Sequence, residues 1–334
     1  MQRTRRLALA ALAAAAVTVG LAACETKLTT NAAGNLCPGP DAFSKDGRWV
    51  LGSGSSDPSP VRLYDQTGSF ATKTLAANGY GADVSGGGGV VLYFDATANR
   101  AKLWRRSTNS STNAPVLKAG TIAIPNNMST DATQVLLIAA PSLDSTIGVA
   151  YLWTPSNGQT LPVAGGASVT DAALSGNGRY VVYSDAAHRV RRWDRTTGTT
   201  VIVATASSDN PYPTQAVSDD GRFVVYDATG NGPLRIWDGT TSTSAVAPVG
   251  SLGSNYLSVD LDADGSVIVL AALTTNDDYT VRRIVRTSGA STTVFTGAFG
   301  GDALSDGSGD HIAYCHSSGA ETNPKLDIYV WSAN

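Results

Sequence analysis

Histidine and cysteine are scarce in this chain, with three of each among 334 residues. His188 lies a full repeat away from the other two histidines, and His311 and His316, five apart on one expected strand, point to opposite faces. No pair has metal-ligand spacing and no cysteine cluster exists, so no zinc-type site and no cofactor are expected. Charge is sparse too, at 15% of residues against a typical quarter, with a formal net charge of −3. That excludes helical bundles, coiled coils and acidic disordered chains, and leaves little attraction to nucleic-acid phosphates. A Gly-x-Ser-x-Gly nucleophile elbow is missing. Gly86–Gly89 is followed by neither the Lys-Ser/Thr nor the helix of a phosphate loop. Asp262-Ala263-Asp264-Gly265 opens like a calcium loop, but Leu273 stands where its glutamate belongs.

What is abundant is glycine, 35 residues of it, together with serine and threonine. Short strands joined by tight turns use such a composition. The first segment stands apart. Arg3, Arg5 and Arg6 precede an uncharged apolar run from Leu7 to Ala23, the layout of a secretory signal peptide. The run ends in Leu21-Ala22-Ala23-Cys24, which resembles the bacterial lipoprotein lipobox. That resemblance implies cleavage after residue 23 and lipidation of Cys24. Cleavage removes three of the 24 basic residues and none of the 27 acidic ones, leaving a net charge of −6. Two acyl chains hold a protein on a bilayer where one does not, so the mature chain, residues 24–334, is expected to be tethered and not embedded.

Internal repetition organises the rest. Units begin at Ser44, Ser85, Ser129, Ser175, Ser218, Asp262 and near Ser305, at intervals of 41, 44, 46, 43, 44 and 43 residues. Each unit reads as a strand, a turn such as Asp46-Gly47, a second strand rich in Val and Tyr, a third strand bearing an aromatic or apolar residue, and a fourth. The second strand is apolar throughout, as a strand buried on both faces must be. Tyr64, Trp104, Trp153, Trp193, Trp237, Ile284 and Tyr329 recur once per unit, which marks them as packing between units. Four strands in about 43 residues, seven times over, predict an all-β, seven-bladed β-propeller with four-stranded blades. The last unit lacks its fourth strand, and Thr26–Thr30 is expected to supply it, so that the N-terminal strand closes the last blade. In that geometry Cys37 and Cys315 lie on one face and form a candidate disulfide.

The motif Ser-x-Asp-Gly-Arg-x-Val-x-Tyr, best matched at Ser44–Val50, Ser175–Tyr183 and Ser218–Tyr226, resembles the repeats of TolB-type (WD-like) propellers. The periodicity carries the likeness through residues 25–334. Departures are the four glycines after Ser85, Asp131-Ala132 for Asp-Gly, Asp262 for Ser, and no proline after the anchor. Trp193-Asp194 and Trp237-Asp238 look like the ends of WD repeats, but no Gly-His precedes them. The resemblance implies an extracytoplasmic binding platform and names no partner.

Longer loops join the second and third strands, and loops of that kind carry function. With the unit-to-unit connections they place Asp95, Asp185, Asp227 and Asp277, together with Tyr80, Tyr212 and Tyr256, on one face. The expected function is a non-catalytic, monomeric, lipid-anchored propeller that binds an envelope protein or glycan there and touches the membrane only through its lipid. Glu25 stands where the inner-membrane retention signal usually has Asp, which favours an outer membrane where the host has one. The alternative is a polysaccharide or peptide lyase or hydrolase using Asp185 or Asp227.

Overall fold

A strand that is apolar at successive positions needs cover on both faces. The computed structural model, which describes residues 24–28, 39–53, 59–68, 71–205, 216–227, 233–250, 255–274, 278–297, 300–317 and 326–333, shows how it is provided. Val50 and Leu51 are both fully buried, yet Val50 packs with the last unit and Leu51 with the second. Val181 and Val182 divide likewise between the third and fifth units, and Val224 and Val225 between the fourth and sixth. Every apolar cluster spans two consecutive units. The circuit closes where Ala313, Ile328 and Val330 of the last unit meet Phe43 and Tyr64 of the first. The sheets therefore stand around a ring, as in a β-propeller. The recurring third-strand residues Tyr64, Trp104, Trp153, Trp193, Trp237, Ile284 and Tyr329 are all buried in these contacts.

Among the described residues there are 28 strands and one 3-10 turn, Val163–Gly165. The first sheet contains, in order, Gly39–Phe43, Trp49–Ser53, Val61–Asp65 and Lys73–Ala76, and four further sheets repeat this four-stranded antiparallel plan. The third and fourth units share one eight-stranded sheet, because Gly148 pairs with Val169 and Val149 with Ser168. The last sheet borrows its outer strand from the start of the chain. Cys24–Lys27 runs antiparallel to Leu326–Ser332, with Cys24 opposite Ser332 and Lys27 opposite Tyr329. Side chains lock this clasp: Lys27 pairs with Asp327, and Tyr314 donates to the Glu25 carboxylate. His316 meets Glu25 at 3.1 Å and stacks between Phe295 and Tyr329.

The repeated motif is a turn that satisfies its own polar groups. Ser44 Oγ donates to Asp46 (2.5 Å) and accepts the Trp49 N–H (2.8 Å), while Asp46 accepts the Arg48 N–H. Ser175 with Asn177 and Ser218 with Asp220 repeat the arrangement. The following position needs a left-handed backbone, φ 69° at Gly47 and 73° at Gly221, and Ala132 takes it at 56°. In the last unit the anchor is Asp306, one residue beyond the Ser305 that spacing selects. Asp306 N donates to His311 O, and Gly309 N to Asp306 O, as Ser44 N does to Trp49 O and Gly47 N to Ser44 O. The motif arginines Arg48, Arg179 and Arg222 make two-point ion pairs with Asp65, Asp194 and Asp238. Each guanidinium holds its partner's carboxyl down at about 2.

A belt of backbone hydrogen bonds links the turns. Asp46 N donates to Gly86 O, Gly86 N to Thr130 O, Thr130 N to Gly176 O, Asn177 N to Asp219 O, Asp219 N to Ala263 O, and Ala263 N to Gly307 O. Gly307 N then donates to Lys45 O, back in the first unit.

Candidate functional site

The first strands of the units surround a central cavity of about 290 Å³. At its turn-bearing end sit the residues that follow the anchors. Three of these are long enough to cross the opening, and they meet. Lys45 Nζ lies 3.4 Å from Asp219 Oδ1, and Thr130 Oγ1 donates to Asp219 Oδ2 at 3.2 Å. Their neighbours are small because no room is left: a Cβ at Gly176 would overlap Asp219 and Thr130.

Behind this gate, two residues before the anchors, lie Asp83, Asn127 and Asp260. Asp83 accepts the Val84 N–H through Oδ1 and the Met128 N–H of the next unit through Oδ2, both at 2.7 Å. Asn127 accepts the Leu174 N–H and donates to the Leu174 carbonyl. Asp260 accepts from Leu261 and, across the unit boundary, from Ser305. All three stitch one inner strand to the next. Burial pushes Asp83 up to about 7 against the pull of two amides and Lys45, and it also raises Asp260. Asp171, on the inner strand of the fourth unit, is raised by burial to about 6. Burial opposes the charge on Lys45, but Asp260, Asp219 and Asp83 outweigh it and raise that lysine.

Among the described residues, the loop residues singled out from the sequence have separate partners. Asp95 is tied to Lys102 at 2.7 Å and to the Ala98 N–H of its own turn. Asp185 accepts the Ala187 and Arg189 N–H groups through Oδ1, and Arg189 Nε (2.9 Å) and Arg191 Nε (2.6 Å) through Oδ2. Burial disfavours ionisation of both acids, and these bonds to Lys102 and Arg191 overcome it. Asp227 is buried at 4% exposure beside Tyr256, whose hydroxyl bonds to the Leu234 backbone. Tyr80 stacks on Phe94 with centroids 5.3 Å apart. Asp277 and Tyr212 lie outside the described residues. Asp95 and Asp185 each cap their own turn and pair with bases on the next strand. Cys315 is fully buried and disulfide-bonded. Cys37, its expected partner, and residues 1–23 also lie outside the described residues.

Sequence reading passed over Lys45, Asp83, Asn127, Asp219 and Asp260. For Asp83, Asn127 and Asp260 a signal was available: a polar residue recurring two positions before the anchor.

No protein-family model and no curated protein matches the chain. Solved structures do. Among the 1345 matching chains is an oligogalacturonate lyase in complex with manganese, with a TM-score of 0.67 over 93% of this chain and 98% of that one. The two are 12% identical, so the likeness is one of fold. A fold of this kind hosts many activities, so the likeness assigns none of them. Among the described residues no three His, Cys, Asp or Glu side chains are placed to hold a metal ion. His311 is engaged with Asp306 and His316 with Glu25.

Proposed function

We propose that the chain is a seven-bladed, TolB-like propeller acting as a non-catalytic, lipid-anchored binding platform of the cell envelope. One observation carries this reading: the polar side chains at the centre of the ring are spent on holding the ring together. Both oxygens of Asp83 and of Asp260 accept backbone N–H groups, and Lys45 and Thr130 share Asp219. The closed belt and the seven anchors support the blade count. The proposed lipid site also sets an orientation. Cys24 opens the outer strand of the last sheet, level with Ser332 and His311 at the turn-bearing end, so no linker separates lipid from ring. Acyl chains there draw the turn-bearing face toward the bilayer and leave the loop-bearing face for an envelope protein or glycan.

A second reading, a polysaccharide lyase or hydrolase, is favoured by the structural likeness to a lyase and by a carboxyl poised near 7 in the cavity. A two-part experiment separates them. A photo-crosslinking residue at Leu143, on a loop, or at Thr197, on a turn, is introduced in cells. In parallel, the purified chain is assayed on oligogalacturonate with and without manganese. A discrete partner captured from position 143 and not from 197 supports the platform. Turnover that disappears in Asp83→Asn overturns it. Incorporation of labelled palmitate, lost in Cys24→Ser, tests the anchor separately.

A further inference from the structure

The boundary between the third and fourth units departs from the rest of the ring. Among the described residues no other neighbouring sheets are joined strand to strand. The connection across it, through Val163–Gly165, holds Ala164 at φ 48°, and the facing loop holds His188 at φ 58°. Between these two walls, opening on the loop-bearing face, is a cavity of about 560 Å³, within the range of small-ligand sites.

The chemistry inside is donor-rich. Asp185 accepts four N–H groups, so its acceptor capacity is consumed by the fold. Arg189 and Arg191 each give only Nε to that carboxylate. A guanidinium has five N–H donors in a planar fork, so the Nη groups of both remain for a ligand, with the side chains 39% and 20% exposed. Tyr183 and Thr200 line the same cavity and hydrogen-bond to each other. Two guanidinium charges against one carboxylate leave the site at +1. We infer that this cleft binds a small monoanionic ligand through its carboxylate, gripped by the Nη groups of Arg189 and Arg191 while Asp185 holds the two forks in place. A single negative charge balances the site, and a planar carboxylate matches the fork. A sugar acid and an acylated amino acid share this chemistry. The inference concerns the third and fourth units alone and is independent of whether the ring is a platform or an enzyme.

The test is calorimetric titration of the full chain at constant ionic strength with sodium glucuronate and with N-acetylglycine, glucose serving as the uncharged control. At least one carboxylate binds saturably, and the tighter of the two identifies the source; glucose does not bind. Arg189→Gln and Arg191→Gln each weaken binding tenfold or more. Arg191→Lys, which keeps the charge and loses the fork, weakens it several-fold. Arg62→Gln, an exposed arginine of the first sheet, changes it less than twofold. Because both arginines also support Asp185, melting temperatures are read alongside. Ala167→Trp, which fills the cavity and leaves the arginines in place, abolishes binding in a folded protein. Absence of binding by both carboxylates, equal binding of glucose, or full affinity in Arg191→Gln or Ala167→Trp overturns the assignment.

Discussion

Replacing Asp83 with asparagine tests whether the central carboxylates are structural. The folded protein holds the Asp83 carboxyl at about 7, against 3.8 for the free group. The folded state therefore binds this proton more tightly than the unfolded chain does. Its contribution to stability is complete below about pH 4 and is lost as the pH rises through 7. Between pH 5 and pH 8 the loss amounts to about 2–3 kcal/mol. Asparagine cannot ionise, and the ring already uses it at the matching position, where Asn127 bonds to both backbone groups of Leu174. Asp83→Asn is therefore expected to be within about 1 kcal/mol of the wild type at pH 5 and more stable by about 2 kcal/mol at pH 8. Urea denaturation at the two pH values measures both differences. The reasoning fails if the variant loses the same stability at both, or if its pH dependence matches that of the wild type.

At the acid end the sign reverses. Asp65, Asp194 and Asp238 are held at about 2 by their arginines, so the stability they add is present above about pH 4 and lost as the pH falls through 2; combined Arg48→Gln, Arg179→Gln and Arg222→Gln substitution should flatten the fall in melting temperature between pH 5 and 2.5. Gly198→Ala and Gly221→Ala share a left-handed backbone, but a Cβ at position 198 meets nothing within 4 Å whereas one at 221 overlaps the Tyr180 ring. Chemical denaturation should show a cost of about 1 kcal/mol for the first and about 3 kcal/mol for the second; equal costs would remove the packing argument. Non-reducing peptide mapping is expected to recover Cys37 joined to Cys315, and reduction should lower stability by up to roughly 5 kcal/mol for so long a loop; a free Cys37 thiol would refute the pairing.

The regular features of the ring were legible because they are local and repeated. Ser-x-Asp-Gly-Arg encodes a turn within six residues, and seven spaced copies reveal the unit even where Ala132 or Asp262 departs from it. The missing fourth strand pointed to the chain's own start at Thr26–Thr30, and Cys24–Lys27, which begins two residues earlier, pairs there. The anchor of the last unit was misplaced by one residue because Asp306 can play the part of serine, and adjacent Ser305 looks the better match. The surroundings of the loop acids were not legible, for a different reason. Asp185 as a sequence element is an acid on a loop, and only the hairpin brings Arg189 and Arg191 back onto it.

Composition, periodicity and turn chemistry act over a few residues, so the amino-acid sequence by itself determined the strands, the repeat and the kind of ring they build. Lys45 meets Asp219 across 174 residues of chain, and Asp83 meets Met128 across a unit boundary. Which charges are spent on the fold and which stay open to a ligand was decided by tertiary structure alone, because closing the ring sets the distances between groups that no local interaction relates.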